Sequence, residues 1–313
     1  MKTAKPFDRP WVVCAIAIFC NMLWGSAFPF VKRGYYLFAI HSADTAAQIL
    51  FAGSRFFLAG FLVIAFCSAM QKKLMLPRKE DLSRIATLGS VQTISQYFFL
   101  YIGLAHTTAV KSSILNTTHI FLGILIACLV FHTELLTFKK ICGCLLGFAG
   151  VVLINLGGNK TEFSWHMIGD TFVLISSLSN AFSTVLIKQY SQKTNPALLN
   201  GYQFMFGGIV MMFGAYLFGG RFPEVPIQGI MILLYLAFLS ACAYTLWSVL
   251  LKYNPVTKVS IYAFTHPVFG VILSTLILKE NASFGLRGIF ALLLVCIGII
   301  IVNLETSAHN KTI

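Results

Sequence analysis

Acidic residues are scarce in this chain: ten Asp and Glu in 313 residues, against 23 Lys and Arg. The four charged types together make up 11% of it, hydrophobic residues 58%, and mean hydropathy is +0.81. A soluble domain of this length needs far more charge to cover its core, so that class is excluded. Catalytic signatures are missing as well. There is no HExxH, no GxSxG and no aspartate pair within an apolar run, so no catalytic residue and no metal ligand is assigned. A GxxxxGK[S/T] loop is also absent, which leaves gradients rather than ATP as the energy source, and no cofactor is implied. The eight cysteines sit in or beside apolar runs, and Cys142-Gly143-Cys144 is not a CxxC. They read as small buried apolar residues, without a disulfide framework.

What the chain does have is long apolar runs. They cover roughly residues 11–31, 49–69, 84–105, 110–132, 138–156, 167–187, 198–218, 227–250, 257–278 and 284–304. At 1.5 Å per residue, a run of about 20 residues spans roughly 30 Å, the thickness of a bilayer's hydrocarbon core. Lipid supplies no partner for backbone N–H and C=O groups, so each run is expected to be a helix. Turn-like punctuation separates the runs, as at Pro77-Arg78-Lys79-Glu80-Asp81, Gly157-Gly158-Asn159 and Asn254-Pro255. A membrane β-barrel would instead show ten-residue alternating segments. The expected fold is therefore an all-α membrane protein of ten transmembrane helices. The apolar run after Met1-Lys2-Thr3-Ala4-Lys5 lacks a small-x-small cleavage site and is expected to be the first of them, retained.

Ten spans put both termini on one side. Counted that way, Lys32, Arg33, Lys111, Lys160, Arg221, Lys279 and Arg287 fall on the far side, Arg55 lies inside a span, and the remaining fifteen basic residues share the side of the termini. Basic residues collect on the cytoplasmic side, so cytoplasmic termini in a plasma (bacterial inner) membrane are expected. The net charge of +13 then reports contact with anionic lipid headgroups, and a nucleic-acid partner is not implied.

The second half repeats the first. Residues 111–125 over 258–272, an offset of 147, align Lys111 with Lys258, Ser113 with Ser260, Ile114 with Ile261, Thr118 with Thr265, His119 with His266 and Gly123 with Gly270. Similar offsets pair Gly53, Phe56 and Gly60 with Gly201, Phe204 and Gly208, and Tyr97 with Tyr244. The repeat unit is five helices, over 11–156 and again over 167–305. Five is odd, so the second copy enters the bilayer from the opposite side: an inverted 5+5 repeat. Two near-degenerate halves of that kind can exchange inward- and outward-open states around a central site.

Asn21-x-x-Trp24-Gly25-Ser26-Ala27-Phe28 with Lys32, and Arg55-Phe56 in the second span, resemble the drug/metabolite transporter superfamily, EamA type. So do the run from Ala109 through Ser112-Ser113 to Glu134, then Gly143, Gly147 and Gly150-Val151, and in the second half Gly169-Asp170, Asn180-Ala181-Phe182, Lys188, Ser260, Pro267, Glu280, Gly288 and Gly298. The joint pattern, rather than any one motif, carries the likeness. The family usually has proline in the fourth helix, where this chain has Ile120; only the second copy keeps it, as Pro267. The resemblance implies a secondary transporter of small organic metabolites, such as amino acids or related compounds, working by alternating access, with export favoured over import. It also implies a central cavity lined by spans 1, 3, 4, 6, 8 and 9.

Polar residues at membrane depth are costly and mark candidate sites. His119 and His266 each lie about eight residues into their helices, hence roughly 12 Å from opposite faces and near the midplane. Histidine changes charge near physiological pH, which suits proton coupling; either ring can instead stay neutral, satisfied by a neighbouring helix. Pro267 cannot donate to the carbonyl of Ala263 and so frees backbone polarity at that depth. Trp24, Gln92, Gln96, Tyr97, Asn116, Thr118, Asn180, Tyr244, Trp247, Tyr262 and Thr265 are the further candidates on those spans, with helix packing the alternative for each. Their few charges and many aromatic rings suit neutral, zwitterionic or partly apolar solutes. Arg55, Glu134, Pro267 and Glu280 are assigned structural roles, Glu134 pairing with Lys139 and Glu280 with Lys279 or Arg287. The alternative function is an intramembrane enzyme or a lipid-handling, flippase-like protein.

Overall fold

The computed structural model describes residues 7, 9–41, 43–106, 109–155, 166–278, 290, 293–294, 296–298 and 300–301. All secondary structure among them is helical. Five helices are each long and apolar enough to cross a membrane: α1 (Pro10–Leu37), α2 (Thr45–Gln71), α7 (Met167–Lys193), α8 (Pro196–Leu217) and α9 (Ile227–Tyr253). The third, fourth and ninth runs reach spanning length by joining segments. α3 (Lys79–Leu88) continues through a π-helical stretch, Gly89–Gln96, into α4 (Tyr97–His106). α5 (Ala109–Leu125) ends in a second π-helical stretch, Ile126–Val130, and α6 (Phe138–Asn155) is regular. α10 (Val256–Ser260) passes through a 3₁₀ turn, Ile261–Phe264, into α11 (Thr265–Leu278). The first nine apolar runs are thus helical. The tenth falls largely outside the described residues, as does Glu280.

The irregular stretches have local causes. Pro267 cannot complete an i→i−4 bond to Ala263, and the 3₁₀ turn ends three residues before it. The neighbouring carbonyl of Tyr262 accepts from Thr265 Oγ1 (2.7 Å) and from Asn21 Nδ2 of α1 (3.1 Å). α1 starts with proline at its first turn, where the missing N–H is not needed.

Glycines hold the centre of the bundle together. α2 crosses α8 so closely that a Cβ on Gly53 would stand 3.0 Å from the Gly208 carbonyl, and one on Gly208 would stand 2.5 Å from the Phe57 nitrogen. Gly60 meets Gly201 in the same way. Gly201 and Gly208 are the repeat counterparts of Gly53 and Gly60, so these contacts are reciprocal: 53 with 208, and 60 with 201. Small residues permit such close approach where lipid provides no hydrophobic drive.

The same reciprocity recurs elsewhere. Asn21 of α1 donates to the carbonyl of Tyr262, while Ser177 of α7 donates to that of Leu115 at 3.2 Å. Leu115 precedes Tyr262 by 147 positions. Gly25 abuts Phe269 and Gly270, and Gly123 abuts Ala181.

Two buried apolar clusters lie at opposite ends of the bundle. One gathers Val13, Leu88, Ile124, Leu199 and Leu250 near the start of α1; the other gathers Phe38, Phe51, Leu104, Met211 and Leu233 near its finish. Trp24, Ala27 and Tyr235 pack against both. The outer surface is apolar too, with Phe61, Phe66, Phe213 and Tyr216 exposed, as a lipid-facing surface requires.

Candidate functional site

Between the two clusters lies a cavity of about 90 Å³. Its wall draws on α1, α2, α4 and the preceding π stretch, α5, α7, α9, and the stretch Ser260–His266 where α10 passes through the 3₁₀ turn into α11. Trp24, Gln92, Gln96, Tyr97, Asn116, His119, Asn180, Tyr244, Trp247 and His266 all line it. Tyr262 does not: its side chain packs into the cluster near the start of α1, and its carbonyl is what serves α1. Thr118 and Thr265 also stay off the wall, each bonding a carbonyl three residues back in its own segment, Leu115 and Tyr262. Pro267 acts through the backbone bend beside His266.

Arg55, assigned a structural role from sequence, lines the cavity and does both jobs. Its Nε donates to Ser240 Oγ at 2.9 Å and its Nη1 to Tyr101 Oη at 3.0 Å, which ties α2 to α9 and α4. Sequence reasoning missed Asn21, Tyr101 and Ser260 on the wall. Asn21 was in view as the first residue of the α1 signature, and Tyr101 stands one turn after Tyr97.

Aromatic rings order one side. Trp24 stands edge-on between Tyr244 and Trp247, with ring centroids 5.0 Å away in each case. Tyr97 and Tyr244 share a hydroxyl–hydroxyl hydrogen bond, and Phe28 stacks on the His266 ring at 5.7 Å. The His119 Nδ1–H donates to its own helix's Asn116 carbonyl at 2.5 Å, which places a proton on Nδ1 because a carbonyl can only accept. The His266 ring bonds the Trp24 carbonyl, across to α1.

Among the described residues, the wall has one formal charge, Arg55, and no Asp or Glu. Several buried polar atoms on it have no hydrogen-bond partner among the described residues: Trp24 Nε1, Gln96 Oε1, Asn116 Oδ1 and His266 Nε2. Buried polar atoms are nearly always paired, so a cluster of unpaired ones around a cavity marks a place for a polar guest.

Glu134 lies away from the cavity, at the end of the bundle where α1 begins. Its partner is Lys140 (3.1 Å) rather than Lys139, and its carboxylate also accepts from the backbone N–H of Thr257 (3.2 Å) and from the Thr257 hydroxyl. Lys139 lies on the exposed side of α6's first turn, whereas Lys140 is buried. At the same end, Asp81 accepts from Thr194 Oγ1 (2.6 Å), Arg84 (3.0 Å) and the Arg78 backbone N–H (3.1 Å). Burial works to raise the Asp81 carboxyl, but these donors outweigh it and hold the group below the usual carboxylate range.

The EamA-like transporter family model matches the chain twice, over residues 11–156 and 167–304. The chain belongs to the EamA-like transporter family. A transporter of Archaeoglobus fulgidus is 29% identical over 268 residues, covering 84% of this chain and 88% of its own length. The inner membrane transporter YedA of Escherichia coli is 25% identical, covering 81% and 79%. A WAT1-related chloroplastic protein of Arabidopsis thaliana is 26% identical over 87% of this chain and 64% of its own. A solved crystal structure superposes with a TM-score of 0.73 at 15% identity, over 93% of this chain and 98% of that one, which supports the fold alone. The EamA-like chain is an integral membrane transporter, and small molecules and lipid are its working surroundings.

Proposed function

We propose that this EamA-like chain is a secondary transporter that exports small organic metabolites, amino acids or related compounds among them, by rocking one five-helix half against the other. The observation that carries the reading is the position of the cavity. It is enclosed by helices of both halves, and the counterpart residues Tyr97 and Tyr244, and His119 and His266, all stand on its wall. A site to which two inverted halves both contribute is what alternating access needs, since the same groups can face either side as the halves rock. The unpaired polar atoms and aromatic faces on the wall support a small, partly apolar polar solute. His119 and His266 supply groups able to exchange protons during the cycle. Termini on the cytoplasmic side and ten spans complete the arrangement.

The test is a metabolite profile of cells and medium, with and without expression of the chain. Compounds that shift from cell to medium on expression support the proposal and identify the cargo. A shift into the cell would keep transport and reverse its direction. New compounds without redistribution would move the assignment to an intramembrane enzyme.

A further inference from the structure

We infer that Arg55 is the anion-binding group of the cavity, and that the cargo carries a single carboxylate which the Arg55 guanidinium holds. The inference rests on the transport reading above and adds a chemical class and a contact to it.

Arg55 is only 3% exposed, and no carboxylate lies within ion-pair range of it among the described residues. A guanidinium has five N–H donors; Ser240 and Tyr101 take two, and Arg55 lines the cavity. A buried charge without a counter-charge is strongly unfavourable, so an unpaired cation beside a cavity is poised for an anion that arrives with the guest. Two parallel N–H bonds to a carboxylate are the arrangement for which this planar group is suited.

The other half of the molecule supplies an internal control. At an offset of 148 the counterpart of Arg55 is Gln203, and Ser240 is the counterpart of Thr93 at 147. Gln203 accepts from Thr93 Oγ1 at 2.6 Å and donates to Gln92 Oε1 at 2.9 Å. It is fully buried and off the cavity wall. A neutral amide therefore suffices to join the second and eighth helices' counterparts. The positive charge at 55 exceeds what packing asks of this position, and it faces the cavity.

The rest of the wall limits the guest further. With Arg55 as the one formal charge among its described residues, the cavity suits one negative group rather than two. The free acceptors Gln96 Oε1 and Asn116 Oδ1 suit an amine, amide or hydroxyl on the same molecule. A monocarboxylate or a zwitterion fits; an organic cation lacking a carboxylate meets only repulsion from Arg55.

The experiment extends the metabolite profile to cells expressing the chain as it is, Arg55→Gln and Arg55→Lys, each quantified in the membrane. The expected result is that every compound redistributed by the unaltered chain bears a free carboxylate. Arg55→Gln should lower that redistribution roughly tenfold or more, as for loss of a charge-assisted bond, and Arg55→Lys should keep an intermediate rate. Redistribution of compounds without a carboxylate would overturn the inference and leave transport standing. So would normal redistribution by an Arg55→Gln chain present at normal abundance. Should that variant fail to reach the membrane, the methyl ester of the redistributed compound decides on the unaltered chain: an ester moved as well as the acid overturns the inference. No redistribution by the unaltered chain would reject the transport reading itself, and this inference with it.

Discussion

Tyr97 and Tyr244 occupy the same place in two copies of one repeat, and their hydroxyls are hydrogen-bonded to each other. Counterpart residues can touch only where the axis relating the two copies passes between them. In the inverted-repeat arrangement proposed above, the pair would lie on that axis, and both residues stand on the cavity wall. Trp24 stands edge-on to Tyr244, Phe56 packs 4.2 Å from Tyr97, and Phe204, the counterpart of Phe56, packs 5.2 Å from Tyr244.

Because each hydroxyl serves the other, removing one leaves its partner buried and short of a bond. Tyr97→Phe and Tyr244→Phe should each destabilise the protein by about 1–2 kcal/mol, and the double variant by less than their sum. Thermal unfolding of the purified protein in detergent, run as a double-mutant cycle, checks this. Strict additivity would show that the two hydroxyls are independent.

The α2–α8 crossing gives a prediction with its own control. A side chain at Gly208 would press on the Phe57 backbone nitrogen, whereas a Cβ at Gly214, six residues along the same helix, meets nothing within 4 Å. Gly208→Val should cost about 1–3 kcal/mol or block folding, and Gly214→Ala should be neutral to slightly stabilising. Comparing their unfolding midpoints and yields in membranes tests the role of close approach at this interface.

The two histidines lead to a functional prediction. Their rings are each anchored through one bond to a carbonyl, Asn116 for His119 and Trp24 for His266, and both line the cavity. If they carry proton exchange, His119→Ala or His266→Ala should abolish stimulation of transport by a pH gradient in proteoliposomes while exchange without a gradient continues. Gradient stimulation that persists in both variants would remove the histidines from the coupling step.

Much of this arrangement was legible in the residues. The internal offset of 147 is visible as repeated identities, and it is those identities, Tyr97/Tyr244 and His119/His266, that converge on the cavity. Composition and run length were enough to expect helices, because lipid leaves the backbone no alternative. Legibility failed where direction around a helix mattered. Tyr262 and Trp247 look equally suited to a cavity as residue types, but the 3₁₀ turn before Pro267 turns the first into the apolar cluster. The bonding of Glu134 was misjudged because its partners Lys140 and Thr257 are chosen by burial and by a contact 123 positions away, not by proximity in sequence. For Arg55 the residue type alone suggests a structural role; its place on the wall depends on how α2 faces α9.

Asp81 introduces a pH dependence outside the spans. Its carboxyl is held below the ordinary value of about 3.9 by Thr194, Arg78 and Arg84, so it favours the folded state while ionised. That contribution is present above the ordinary carboxylate value and is lost as pH falls through the lowered one. Unfolding midpoints of the unaltered chain and Asp81→Asn should therefore differ at neutral pH, by about 1 kcal/mol or less because the site is partly solvated, and converge as the pH approaches 3. A difference that stays constant across that range would assign the effect to lost packing rather than to the charge.

Glu134 joins the two halves at the end of the bundle where α1 begins. It lies between α5 and α6 and caps the start of α10 through Thr257, 123 positions later, while Lys140 balances its charge. Asp81 and Thr194 make a second such bridge at the same end. In the alternating-access reading proposed above, both bridges would part for the cavity to open there, which would make them part of the free-energy difference between the two states. Glu134→Gln keeps the shape but weakens both the ion pair and the cap, and should shift the balance toward the state open at this end by about 1–2 kcal/mol, roughly a five- to thirtyfold change in population. A cysteine placed at Ser260, on the cavity wall one turn from Thr257, would report it in a background lacking the native cysteines. Its labelling by a polar maleimide from the α1-start side should rise in Glu134→Gln and rise less in Thr257→Val, which leaves the Lys140 pair in place. Equal labelling in all three would show that the bridge does not restrain opening.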